Sequence, residues 1–172
     1  FLAGYQSDTT TGDSLAKHAA SAFGADFLWR HPGRSEGRTV SVVDQAMYVE
    51  CPGGGSMSPA SVDAYVVGVQ RVLAMMDMIA VGPSGPARAA VHVTGGGDLD
   101  RDMISVRHDG MFVTDLMSGT NVEAGQLLGT VVALGGQLLE EVHAPYEAWV
   151  MAVKRRPPVI ADDLVVCLAI AD

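Results

Sequence analysis

Apolar residues recur on one helical face at Leu15, Ala19, Ala22 and Phe23, and this spacing predicts a helix capped by Asp13 and stopped by Gly24. ADFLWR, residues 25–30, then reads as a short buried strand and HPGRSEGR as a loop. TVSVVDQA, 39–46, fits helix and strand equally, because so short a run has no decisive period. MYVEC, 47–51, is a strand running into the turn Pro52, Gly53, Gly54, Gly55. Ser58 as N-cap and Pro59 at the first helical position open the clearest helix, with Val62, Tyr65, Val66, Val69, Val72, Leu73 and Met76 as its apolar face. Strands and helices in this close order imply an α/β layer. The opening FLAGYQSDTTTGDS has neither the pattern of a strand nor the composition of a tag.

Residues 83–103, with PSGPAR and TGGGDLD, read as a linker holding one candidate strand in ARAAVHVT. From Ile104 the pattern changes to short strands and turns. NVEAGQLLGTV, 121–131, aligns with PVIADDLVVCL, 158–168, at an offset of 37, and the same offset sets Phe112 and Val113 on Trp149 and Val150. Two such copies related by a pseudo-twofold axis are the pattern of a small flattened β-barrel like that of biotinyl and lipoyl domains, in which neither half closes its own hydrophobic face. The expected organisation is an α/β part over 1–82, a linker over 83–103 and a β-barrel over 104–172.

At 172 residues, 48% hydrophobic and 18% charged, the chain can bury a real core, which excludes disorder. Its net charge of -9, with basic residues clustered only at Lys154, Arg155 and Arg156, argues against nucleic acid as a partner. Cys51 and Cys167 form no zinc-knuckle or redox motif, which suits a reducing cytoplasm. No apolar stretch nears the roughly 20 residues of a spanning helix and no leader opens the chain, so the expectation is a soluble, cytoplasmic protein with no membrane partner. Because Phe1 is not an initiator methionine, a preceding segment is expected, whether lost by processing, proteolysis or choice of boundaries.

Glu50 is the residue that carries candidate chemistry. A carboxylate at the C-terminal end of a strand, followed by a glycine turn, sits where α/β sheets place ligand crevices, and apolar flanks would raise its pKa toward general-base values. Arg30, Arg34 and Arg38 flank the preceding loop and suit a substrate carboxylate, though arginines near a loop are commonly solvated surface. Gly53–Gly55 is no phosphate cradle, since no Lys-Ser/Thr follows and Pro52 removes an amide donor. His18 falls in the first helix, His31 in a loop before a proline, His92 in the candidate strand, and His108 and His143 in the β-domain. None has metal-ligand spacing.

The run GRTVSVVDQAMYVECPGGGSMSPASVDAYVVGVQRVLAMMDMI, 37–79, resembles the stretch of the succinylglutamate desuccinylase/aspartoacylase family in which a buried strand leads to a glutamate, glycines and a long helix. LAKHAASAFGADFLWR is similar to the family's helix and strand upstream, and the segment from His108 to Leu164 resembles its appended β-domain, including the hairpin from Val142 to Pro145. The resemblance implies a zinc carboxypeptidase-like fold. It further implies a zinc-dependent deacylase acting on an N-acyl amino acid or similar small amide, with Glu50 as general base. The family's His-x-x-Glu motif and later histidine lie in the part that would precede Phe1, so no metal ligand is expected here and a companion polypeptide is expected to carry the zinc. An oligomer would also fit.

Tyr146 and Glu147 replace the glycine expected after Ala-Pro in that hairpin, and would touch substrate or form an interface. ALGGQLLEEVHAPYE, between the repeats, has no lysine, so no lipoyl or biotinyl group is expected. The competing reading is a non-catalytic subunit or interaction module that keeps the family fold.

Overall fold

Leu2–Ser7 forms a strand, β1, against the expectation drawn from the opening residues. The computed structural model describes residues 1–7, 14–32, 45–51, 58–83, 85, 87, 89–95 and 103–172. β1 lacks the apolar density of a buried strand, but its alternation is sufficient. Ala3 and Tyr5 are buried on one face, and on the other Gly4 leaves room for the ring of Tyr48, which fills the space a Cβ would need. Two neighbours complete the pairing: β2, Phe27–Pro32, lies parallel to β1, and β3, Met47–Glu50, antiparallel to it.

β4, Val91–Thr94, pairs parallel with β2 and gives the order β3-β1-β2-β4. The chain divides into units Phe1–Thr94 and Gly95–Asp172, so this strand belongs to the first unit although it falls in the stretch read as linker. Val93 is fully buried, a burden no linker residue carries.

Helix α1, Leu15–Phe23, is capped by Ser14, whose Oγ accepts the Lys17 amide at 3.1 Å. The expected cap, Asp13, lies outside the described residues. Gly24 ends the helix at φ 83, a left-handed geometry that suits glycine. The buried stripe is Ala16, Ala19, Ala20 and Phe23, one position round from the expected face, and Leu15 is exposed. Helix α2, Pro59–Met75, starts as its sequence implies, with Ser58 Oγ accepting the Ser61 amide at 3.1 Å. Its expected apolar face divides: Tyr65 and Val72 join the core, whereas Val62, Val66, Val69 and Met76 are exposed. No helix among the described residues is long and apolar enough to cross a membrane.

The first core joins Ala3, Tyr5, Ala16, Ala20, Phe23 and Leu28 to Met47, Val49, Tyr65 and Val72. Gly68 is the seam between the helices, since a Cβ there would meet the Phe23 ring at 2.5 Å. A side chain at Gly68 gains at most about 1 kcal/mol of helix propensity. Overpacking against an aromatic ring costs about 1–3 kcal/mol. Gly68→Val should therefore lower stability by about 2 kcal/mol in urea unfolding, and an unchanged midpoint would mean that Phe23 yields freely.

In the second unit the strands are β5 (Met103–Ser105), β6 (Gly110–Val113), β7 (Asn121–Val122), β8 (Leu127–Val132), β9 (Leu138–His143), β10 (Ala148–Val153), β11 (Pro158–Val159) and β12 (Leu164–Ala171). The offset of 37 carries β5, β6, β7 and β8 onto β9, β10, β11 and β12 in turn. Pairing follows the repeat. β6 pairs with β8 as β10 pairs with β12, and each half lends a two-residue strand to the other, β7 to β10 and β11 to β6. Repeat-related Val122 and Val159, Leu128 and Val165, and Val131 and Leu168 meet in one core, which neither half would close alone.

Candidate functional site

Glu50 ends β3, level with Leu2 of β1, which is in turn level with Phe27 of β2. Because β3 runs antiparallel to β1, Glu50 sits at the end of the sheet where β1 and β2 begin. Glu50 is at the C-terminal end of its own strand, as expected, but that end lies opposite the carboxyl ends of the parallel pair. Glu50 is exposed, so the apolar enclosure expected around it is not built by the described residues. The turn Pro52–Gly55 lies outside them.

What fixes Glu50 is the backbone on either side. Tyr65 of α2 donates its hydroxyl to the Val49 carbonyl at 2.8 Å, tying the last turn of β3 to the helix. Burial, then the neighbouring Cys51 and Glu50, push the Tyr65 phenol above its usual 10.0. Periodicity placed Tyr65 among core residues, and nothing in its spacing marked the hydroxyl as a strut.

Alternation puts Tyr48 on the same sheet face as Glu50, away from α1. There it joins residues the sequence reading did not connect. His31 is 4% exposed and lies in β2, not in a loop. Its Nε2 shares a 2.6 Å hydrogen bond with Tyr48 Oη. Its ring stacks on Tyr48 at 5.5 Å and tilts against Trp29 at 4.9 Å. Tyr48→Phe removes the hydrogen bond to His31 and no ring surface, so loss of that bond should cost about 1 kcal/mol and shift the ¹⁵N resonances of the His31 ring. Unmoved resonances would remove this bond from the account.

Arg30 is level with Tyr5, on the helix-covered face, while Glu50 is on the opposite face and three residues back along the register. At about 3.3 Å per residue, the sheet holds the two roughly 10 Å apart along the strand as well. Arg34 and Arg38 lie outside the described residues. Tyr146 and Glu147 are exposed in the second unit. His18 and His92 are exposed, and His108 and His143 lie beside Glu140 and Glu141. Among the described residues no three His, Cys, Asp or Glu side chains converge to hold a metal.

No family model matches the chain and no curated protein sequence matches it. Solved structures do. The ectoine utilization protein EutE (DoeB) from Ruegeria pomeroyi superposes with a TM-score of 0.82 at 24% identity in its apo form, over 98% of this chain and 55% of that one. Its product-bound form gives 0.81 at 23%. A succinylglutamate desuccinylase/aspartoacylase from Rhodobacter sphaeroides gives 0.80 at 19% identity, over 99% of this chain and 53% of its own. The chain thus has the fold of about half of these proteins.

Proposed function

We propose that this chain, which shares the fold of one half of the succinylglutamate desuccinylase/aspartoacylase proteins, is the general-base half of a zinc-dependent deacylase that cleaves an N-acyl amino acid or a similar small amide. The observation that carries the reading is Glu50: an exposed carboxylate at a strand end braced by Tyr65, in a segment that resembles the family's base-bearing strand. Glu50 takes a proton from the attacking water and passes it to the leaving amine. Tyr65 is a positioning residue, acting through Val49. Arg34 and Arg38 are the proposed contacts for a substrate carboxylate. Arg30, on the far face, suits that role less.

The described residues do not fit a zinc ion, since no three ligating side chains converge among them. The metal, whose chemistry would be to polarise the scissile carbonyl and acidify water, is proposed to be held by a companion polypeptide bearing the His-x-x-Glu segment. The second unit is read as a flattened barrel of the biotinyl/lipoyl kind without a carrier lysine. A cytoplasmic location fits these parts.

Purified alone, the chain should hold less than stoichiometric zinc after dialysis against a weak chelator, and the assembled protein should hold one zinc per site and release free carboxylate from N-acyl amino acids. One tight zinc on the chain alone, or an assembly with metal and no hydrolysis of any such amide, would overturn the reading.

A further inference from the structure

Helix α2 is apolar over a wider arc than its own unit covers. At 3.6 residues per turn, Tyr65, Gly68 and Val72 form the arc turned to the core. Val62, Val66, Val69, Leu73 and Met76 fall at i, i+4, i+7, i+11 and i+14, about a quarter-turn away. This second arc is open: Val62 is 42% exposed, Val66 50%, Val69 48% and Met76 45%. The polar Asp63 and Gln70 lie further round, so the stripe itself carries no charge to suit water.

The surroundings say which way the stripe faces. On one flank of the core arc α2 meets α1, through Gly68 against Phe23 and Arg71 beside Gly24. Beneath it, Tyr65 reaches Val49 of β3. The stripe is on the remaining flank, past β3, which is the terminal strand of the order β3-β1-β2-β4. The open apolar surface therefore lies where the layer would be extended beyond the strand that carries Glu50.

We propose that this stripe is the docking surface for the polypeptide that supplies the other half of the fold, which lays an apolar helix face against Val62, Val66, Val69 and Met76. Its occupant follows from length: EutE aligns with 98% of this chain yet only 55% of EutE is accounted for, so in that protein a comparable length of polypeptide lies outside the matched half. A second copy would duplicate the half already present and leave the layer incomplete. The inference rests on the companion reading above, but it concerns where that companion sits.

The test is photocross-linking in the native host, with p-benzoylphenylalanine placed separately at Val66, at Val69 and, as control, at Leu134 of the second unit, which is 93% exposed. Expected at Val66 and Val69, and absent at Leu134, are cross-linked peptides of the polypeptide bearing His-x-x-Glu, whether a separate chain or continuous with Phe1. Val66→Asp with Val69→Asp should cut its recovery at least tenfold, while far-UV circular dichroism of the purified chain stays unchanged. Cross-links to a second copy, or none at Val66 and Val69, overturn the proposal. If the companion is recovered but cross-links only at Leu134, the surface is wrong and the companion reading stands. If no such polypeptide is recovered at any position, both fail.

Discussion

Replacing Glu50 by glutamine should lower kcat of the complete, metal-loaded assembly by about 10² to 10⁴ while its zinc content stays the same. Glutamine keeps the shape and the strand geometry but cannot accept the proton of the attacking water. The two readouts separate three roles. A metal ligand would lose zinc with activity, and a solvated surface carboxylate at an exposed strand end would change neither. Because Tyr65 binds the Val49 carbonyl rather than the carboxylate, the substitution should leave that brace and the unfolding midpoint untouched. Activity within a few-fold of wild type would remove the residue on which the enzymatic reading rests.

The second large effect belongs to stability. Glu140 of β9 is 7% exposed and accepts from the Arg107 amide at 2.8 Å and Arg107 Nε at 3.0 Å, with His108 Nδ1 at 3.3 Å. Breaking a buried ion pair costs about 3–5 kcal/mol. Here the Arg107 side chain is 77% exposed and can return to water, while its amide loses a charged acceptor. The expected cost of Glu140→Gln is therefore lower, about 2–3 kcal/mol at neutral pH, read as a fall in the urea midpoint. Burial pushes the Glu140 carboxyl up, but the Arg107 amide and guanidinium and then His108 outweigh it, holding it below its usual 4.5. A depressed folded value contributes stability that is full above the unfolded value and lost as pH falls through the folded one. Wild type and Glu140→Gln should thus differ most at pH 7, and the gap should close as pH falls through the depressed carboxyl value. A constant gap across that range would show that the charge contributes nothing.

The residues that act locally were legible in the sequence. Ser58 and Pro59 open α2 and Gly24 ends α1, because caps and stops are satisfied within one turn of chain. The repeat was legible for a related reason: the offset of 37 is written in the order of residue types, and strand pairing then follows it pair by pair. Glu50 was found as the end of a strand and through resemblance, with no help from burial.

What tertiary structure alone decided concerns partners distant in the chain. β1 is a strand because Tyr48 fills the space over Gly4 and β2 and β3 supply its hydrogen bonds, none of which shows in LAGYQS. His31, beside a proline, was read as loop, and only the approach of Tyr48 and Trp29 makes it a buried strand residue. The direction of β3, which sets the end of the sheet at which Glu50 stands, depends on pairing with β1 and is invisible to periodicity. The apolar face of α2 was visible in full, but a hydrophobic pattern records what a helix can bury and not what arrives to cover it. Half of that face is left open because burial is a property of neighbours.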